Sequence, residues 1–134
     1  MQEMMLSTIY GIPDKQMGTM THLGINKAIV ADDSFSVIME VKDIHLNTQG
    51  TVHGGIIFTL CDQAVGAYLT FKKIKGVGMD GNIHYYRPAN KGEILTATAY
   101  ERKSGKTTGV YFVELKNQNY KLIADGLFTA MYLS

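Results

Sequence analysis

The stretch Gly54-Gly-Ile-Ile-Phe-Thr-Leu-Cys-Asp-Gln-Ala-Val-Gly-Ala-Tyr-Leu-Thr-Phe71 is a dense apolar run that contains no proline. Its length favours a helix over a strand, because buried strands usually run for only about 4–8 residues. The apolar residues fall on nearly every side, so we expect this helix to be buried over most of its surface. Lys72 and Lys73 follow at the C-terminal end, where the helix dipole favours positive charge. One long core helix is therefore predicted.

Strand-like runs flank this helix on both sides. Before it, residues 20–31 and 35–42 are separated by the turn residues Asp32-Asp33-Ser34 and predict a β-hairpin. After it come four more runs joined by short turns, which indicate antiparallel pairing. A twisted antiparallel sheet that wraps one apolar helix is an α+β plan. The four later runs are residues 78–87, 93–102, 107–116 and 121–132.

The length of 134 residues predicts a single domain over residues 1–134. Within residues 1–12 we expect a short helix, because Gly11 and Pro13 would end it. With 46% hydrophobic and 19% charged residues, the composition is that of a folded globular chain and argues against disorder.

Charge and cysteine content exclude some classes of protein. The net charge is only +1 and no basic stripe is present, so we expect no nucleic-acid partner. No stretch reaches the roughly 20 apolar residues of a membrane span. The single cysteine, Cys61, fits a reducing compartment, and the four histidines lack metal-ligand spacing. We expect a soluble, cytoplasmic protein that binds no metal and needs no cofactor.

His53-Gly54-Gly55 stands where the predicted helix begins. The first turn of a helix has unpaired backbone N–H groups, and the helix dipole favours negative charge there. Glycine allows a ligand to approach that backbone closely. The segment is suited to stabilising a developing oxyanion. An ordinary glycine-rich turn explains the same residues equally well.

Asp62 places a carboxylate in the middle of the apolar helix. A buried charge is costly unless it is paired or has a function. A structural explanation is an aspartate bonded to a core hydroxyl or a lysine; a functional one is a catalytic base. Gly54 and Asp62 are eight residues apart, which corresponds to about 12 Å along a helix axis. If both groups act on one reaction centre, Gly54 must come from one chain and Asp62 from a two-fold-related copy.

The pattern Asn47-(x)5-His53-Gly54-Gly55, followed by Asp62, resembles the PaaI-like acyl-CoA thioesterases of the hotdog superfamily. The similarity continues in Asn82-Ile-His-Tyr-Tyr-Arg-Pro88 and in the Gly92–Ala99 segment, and it covers residues 20–132. The resemblance implies a hotdog fold and a homodimer or dimer of dimers with shared active sites. It also implies hydrolysis of an acyl-CoA, with coenzyme A present only as part of the substrate.

The resemblance implies a role for each residue of the motif. The Gly54 N–H would polarise the thioester carbonyl, and Asn47 would hold the carbonyl or the attacking water. Asp62 would be the general base or nucleophile, while His53 would support the turn. Backbone groups near Gly55 would contact the pantetheine arm.

One position departs from the family pattern. Several relatives carry a hydroxyl residue on the strand after the helix, and the corresponding residue here is Gly78, with Asp80 two positions on. Either a water replaces the hydroxyl or Asp80 takes part.

Arg87, Lys103 and Lys106 are candidates for contacts with the CoA phosphates, although solvated turn charges explain them equally well.

Two alternative functions compete with hydrolysis. A non-catalytic hotdog module could bind an acyl-CoA as a signal, but it would need no carboxylate base. A hotdog dehydratase would place its histidine and acid on other elements. Small aromatic and medium-chain acyl groups are both compatible with the sequence.

Overall fold

A computed structural model describes residues 1–133. Within this range the chain forms three α-helices and seven strands, in the order β1, α1, α2, β2, β3, α3 and β4 to β7. The helices are α1 (Leu6–Tyr10), α2 (Thr19–Leu23) and α3 (Gly54–Phe71). The strands are β1 (Gln2–Met5), β2 (Lys27–Val30), β3 (Ser34–Glu40), β4 (Gly76–Tyr85), β5 (Ile94–Ser104), β6 (Thr108–Lys116) and β7 (Leu122–Tyr132).

The seven strands form one antiparallel sheet in the order β1-β2-β3-β5-β6-β7-β4. Strand β4 therefore lies at an edge and pairs only with β7. Alternate residues of β5, β6 and β7 point to helix α3 and are buried, as the two-residue period of a strand requires. The α+β hotdog plan predicted from the sequence is confirmed.

Helix α3 has the bounds predicted from the sequence, but it is not buried on most sides. Leu60, Cys61 and Ala64 are fully buried against the sheet. Gly55 and Asp62 lie on the opposite side and are exposed. The expected burial over most of the helix surface is therefore wrong for the single chain, because the sheet covers only one side of the helix.

Three local predictions differ from the structure. The predicted strand over residues 20–31 begins later, since Thr19–Leu23 is a short helix that ends at Gly24 in the left-handed conformation. The expected N-terminal helix is preceded by strand β1, and only Leu6–Tyr10 is helical. The short turns also suggested that β4 pairs with β5, the next strand along the chain. In the structure β4 is an edge strand and pairs with β7. The errors at β1 and β4 concern long-range pairing, which the local sequence does not determine, whereas Gly24 is a local helix-ending signal that the strand prediction missed.

By length and composition alone, helix α3 could cross a membrane. In the fold it is the core helix, with 44% of its residues buried in the chain itself. Core helices commonly meet the same criterion.

The pairing of β4 with β7 depends on Gly126. A Cβ at Gly126 would overlap the backbone carbonyl oxygen of Asn82 on β4. We expect Gly126→Ala to lower the free energy of unfolding by roughly 2–4 kcal/mol, because backbone cannot yield as a flexible side chain does. Chemical denaturation measures this loss.

Gly66→Ala is the matched control, because it makes the same chemical change in the middle of helix α3. Its Cβ would have only the Tyr10 hydroxyl nearby, at an ordinary 3.7 Å. Alanine should stabilise the helix here by up to about 1 kcal/mol. Equal stability of the two variants would contradict the β4–β7 register.

Candidate active site

The first turn of helix α3 is organised by His53. His53 is the N-cap residue, and its Nδ1 accepts the Gly55 N–H over 3.1 Å. Its backbone N–H donates over 2.8 Å to the carbonyl of His45, which ties the helix start to the preceding segment. One of the unpaired donors of the first turn is thereby satisfied. The His53 side chain thus supports the turn.

Gly54 is the first residue of helix α3, and its N–H has no backbone acceptor among residues 1–133. Beside it lies an open depression of about 340 Å³ lined by Val52, Gly54, Ile57, Tyr85, Tyr86, Arg87 and Pro88. The Tyr85 hydroxyl donates to the Gly54 carbonyl over 3.0 Å, and this bond leaves the Gly54 N–H free. An oxygen that carries negative charge can approach the helix start at this point.

Asp62 lies two turns further along the same helix. Its carboxylate is exposed in the single chain, but the surrounding walls already remove part of its water. Burial raises the pKa of Asp62 above its ordinary value, and no hydrogen bond or charge within the described residues offsets that. A carboxylate without a partner, beside a cavity, is suited to accepting a proton from water.

A cavity of about 100 Å³ reaches the Asp62 carboxylate from the space between helix α3 and strand β4. Its walls are mainly small and apolar, and Gly78 faces the carboxylate directly. A Cβ at Gly78 would lie 3.9 Å from Oδ1 of Asp62. The residues bordering this cavity are Asp62, Val65, Gly66, Leu69, Gly76, Gly78, Asp80, Phe128, Thr129 and Ala130.

A family model described as the thioesterase superfamily matches residues 49–124, which include the helix start, Asp62 and strand β4. The chain belongs to the thioesterase superfamily. This PaaI-like member is 39% identical to acyl-coenzyme A thioesterase PaaI of Escherichia coli over 103 residues, or 76% of this chain and 73% of that protein. Human acyl-coenzyme A thioesterase 13 is 40% identical over 94 residues, or 68% of this chain and 67% of that protein.

Solved structures agree with this assignment. The E. coli PaaI protein superposes on this thioesterase with a TM-score of 0.83 and 32% identity, over 90% of this chain and 87% of that one. A Streptococcus mutans protein bound to acetyl-CoA superposes with a TM-score of 0.76 and 30% identity, over 80% and 87% of the chains. The enzyme is a thioester hydrolase with the hotdog fold.

Asp80 borders the cavity in the thioesterase, but its register places it on the other face of the sheet. A β-bulge lies between Gly78 and Asp80. Beyond it Asp80 pairs with Thr129, whose neighbours Phe128 and Ala130 are buried on the inner face. Asp80 consequently shares the outer face with Thr129. Asp80 nevertheless borders the cavity of Asp62, so both alternatives that the sequence left open at Gly78 stay predictions.

Asn47 is held inside the turn that precedes helix α3. Its Oδ1 accepts the backbone N–H groups of Gln49 and Thr51 over 2.9 and 3.1 Å. Its Nδ2 donates to the Thr51 hydroxyl over 3.1 Å. Because an amide nitrogen carries two hydrogens, one donor of Asn47 is left for a ligand.

The three basic candidates lie at opposite ends of helix α3. Arg87 borders the depression at Gly54, and its Nε donates to the Leu122 carbonyl over 3.1 Å. Lys103 and Lys106 belong to the β5–β6 hairpin, which meets the chain near Tyr132 and the start of β4. Helix α3 has 18 residues, so about 27 Å separates the two ends. One chain cannot direct all three residues to the same phosphates.

Two tyrosine hydroxyls near the site were not predicted from the sequence. Tyr10 on helix α1 accepts a 2.8 Å hydrogen bond from Gln63, the neighbour of Asp62, and no local pattern indicates this docking. The contact of the Tyr85 hydroxyl with the Gly54 carbonyl was likewise not predicted. The two-residue period of β4 could have placed Tyr85 with Gly81 and Ile83 on the side of helix α3.

The remaining polar candidates are structural. Burial raises the pKa of the Cys61 thiol to about 12, which excludes it as a thiolate nucleophile at neutral pH. His45 is buried and bonds the Leu23 carbonyl and the Lys42 N–H. Among residues 1–133, no group of three His, Cys, Asp or Glu side chains is placed to hold a metal ion.

The raised pKa of Asp62 has a consequence for stability. A carboxyl whose folded pKa lies above its unfolded value destabilises the fold once pH rises above the unfolded value. We therefore expect Asp62→Asn to melt at a higher temperature than the wild type at pH 7. The difference should disappear towards pH 3, where both forms are neutral. Thermal melts between pH 3 and 8 measure it, and a difference that is independent of pH would contradict the assignment.

Proposed function

We propose that this thioesterase hydrolyses a small aromatic or medium-chain acyl-CoA to the free acid and coenzyme A, in a homodimer or dimer of dimers. The names of PaaI and acyl-coenzyme A thioesterase 13 support an acyl-CoA substrate. So do the structures with acetyl-CoA and with coenzyme A bound. The observation that carries the proposal is the Asp62 carboxylate, which has no hydrogen-bond or charge partner among residues 1–133 and borders an open cavity next to Gly78.

In the proposed reaction Asp62 takes a proton from a water molecule, and the water oxygen attacks the thioester carbon. The free N–H of Gly54 donates to the carbonyl oxygen as negative charge develops on it. The C–S bond then breaks, the proton passes to the departing thiolate, and the acid and free CoA leave. If Asp62 acts instead as a nucleophile, a mixed anhydride forms first and water cleaves it. Neither route requires a cofactor.

The edge strand β4 supports a shared site. This strand of ten residues has one unpaired side, and nearly every residue in it is exposed. An unpaired edge of this length readily pairs with another chain. A second copy related by a two-fold axis would run antiparallel along β4 and would cover the exposed strip of helix α3. Asp62 of one chain would then face the helix start of the other.

The same two-fold relation would gather the basic residues. In an antiparallel pair, the C-terminal end of one helix lies near the N-terminal end of the other. Arg87 of one chain would thereby come close to Lys103 and Lys106 of its partner, despite their separation within a chain. Cations from both chains would suit the phosphates of CoA.

The dimensions of the cavity support a small aromatic acyl group more than a medium-chain one. The space beside Asp62 measures only about 100 Å³ in a single chain, with Phe128 and Leu69 among its walls. The Phe58 ring packs against Phe128 at a tilt of 58°, with ring centroids 5.3 Å apart. Apolar and aromatic walls favour an apolar acyl group through burial of its surface.

Replacing Asp62 tests the chemistry. We expect Asp62→Ala to fold, to bind CoA esters and to lose hydrolysis by a factor of roughly 10²–10⁴. Asn47→Ala should lose less of the hydrolytic activity, because most hydrogen bonds of Asn47 hold the turn. A spectrophotometric assay of thiol release measures this across phenylacetyl-, hydroxyphenylacetyl-, benzoyl- and medium-chain CoA esters.

Asp33→Ala is the control for loss of a carboxylate, since Asp33 is exposed in the turn between β2 and β3. It should keep the wild-type rate. Full activity of Asp62→Ala would remove Asp62 from the mechanism. Binding of CoA esters without hydrolysis by the wild type would favour the non-catalytic module instead.

A mixed dimer tests the shared site. Gly54→Pro removes the proposed N–H donor, while proline is tolerated at the first helical position. His53 has φ −59° and ψ 133°, which suits a residue before proline. We expect Gly54→Pro and Asp62→Ala each to be nearly inactive alone, because each variant lacks one half of every site.

Co-expression of the two variants should restore about one quarter of the wild-type activity. Half of the dimers are then mixed, and one of their two sites combines intact Gly54 with intact Asp62. If both groups acted within one chain, no intact site could form. A mixture as inactive as its parents would therefore refute sharing without refuting hydrolysis.

A further inference from the structure

One peptide group at the start of helix α3 is held from both sides. Its carbonyl belongs to Gly54 and accepts the Tyr85 hydroxyl over 3.0 Å. Its N–H belongs to Gly55 and donates over 3.1 Å to Nδ1 of His53. The two side chains come from different elements, the N-cap of the helix and the last residue of β4. The orientation of this peptide therefore depends on where strand β4 ends.

The Tyr85 ring also covers Gly54 directly. Its Cζ and hydroxyl oxygen lie 3.5 Å from the position that a Gly54 Cβ would occupy, which is ordinary van der Waals contact. Burial raises the pKa of Tyr85 above its ordinary value. The phenol consequently stays protonated at neutral pH and remains a donor to the Gly54 carbonyl.

This restraint matters because two glycines follow one another. Glycine has more backbone freedom than any other residue, so Gly54-Gly55 could adopt several conformations at the start of the helix. A donor stabilises a developing charge best when it is already oriented, since reorientation during the reaction adds to the barrier. The carbonyl that Tyr85 holds and the free N–H both belong to Gly54, so restraining the carbonyl also restrains the N–H.

We propose that Tyr85 is a positioning residue that fixes the Gly54–Gly55 peptide and thereby directs the Gly54 N–H at the thioester oxygen. This inference rests on the proposed function, because the donor has a role only if a thioester meets it. Tyr85 acts through Gly54, and His53 acts on the same peptide from the other side.

Tyr85→Phe removes the hydroxyl and keeps the ring over Gly54. We expect kcat for the best CoA ester to fall about tenfold, with KM changed by less than about twofold, because the substrate contacts remain. The melting temperature should hardly change, since the Gly54 carbonyl keeps its helical partner four residues later. An unchanged kcat would overturn the proposal, as would a fall in kcat that accompanies a loss of stability or of the dimer.

Tyr120→Phe is the matched control for loss of a tyrosine hydroxyl outside the candidate site. Tyr120 lies in the turn between β6 and β7 and is 85% exposed. This variant should keep the wild-type kcat. An equal fall in both variants would refute a specific role for Tyr85.

A double-mutant cycle with His53→Ala separates positioning from general damage. Tyr85 and His53 bond the same peptide. Removing the second side chain should therefore lower kcat by a smaller factor once removal of the first has already freed the peptide. We expect the decrease in log kcat for the double variant to be clearly smaller than the sum of the single decreases. Strict additivity would contradict a shared target.

Amide hydrogen exchange tests the restraint without reference to hydrolysis. In ¹⁵N-labelled protein, Tyr85→Phe should speed exchange at Gly55, whereas Tyr120→Phe should leave it unchanged. If the wild type hydrolysed no CoA ester, the proposed function would fail, but faster exchange at Gly55 would still support the restraint. Unchanged exchange at Gly55 in Tyr85→Phe would refute it.

Discussion

Helix α3 packs against the sheet on one side only, and the rest of the structure depends on this. The apolar side supplies the core through residues such as Leu60 and Ala64. The other side exposes small and polar residues, including Gly55 and Asp62. Because the sheet cannot cover this strip, it is available to substrate and to a second chain. Stability and the proposed chemistry thus use opposite sides of one helix.

The sequence determined the elements better than their arrangement. Helix α3 was predicted from Gly54 to Phe71, and the four strands after it were correct to within two residues at each end. These segments have strong apolar periodicity and clear turn residues, which act locally. The pairing of β4 with β7 was not predicted, because it joins segments about 45 residues apart that share no local signal.

For the candidate site, too, the sequence predicted which residues are present better than how they are arranged. The positions of His53, Gly54 and Asp62 followed from the motif and from helix geometry. The exposure of Asp62 did not, because the apolar helix was expected to be buried over most of its surface. The contacts of Tyr10 with Gln63 and of Tyr85 with Gly54 depend on how distant elements dock. A lone tyrosine in a sequence carries no sign of such a partner.

The bulge between Gly78 and Asp80 decides which half of strand β4 the site can use. Before it, Gly76 and Gly78 pair with residues of the inner face; beyond it, Gly81, Ile83 and Tyr85 do. In an unbroken strand, Asp80, Asn82 and His84 would occupy the inner face instead. A second carboxylate would then stand opposite Asp62, and Tyr85 would point away from Gly54. The extra residue at Met79 therefore keeps a competing negative charge out of the proposed active site, and straightening the strand without removing that residue would turn Asp80 inward and Tyr85 outward.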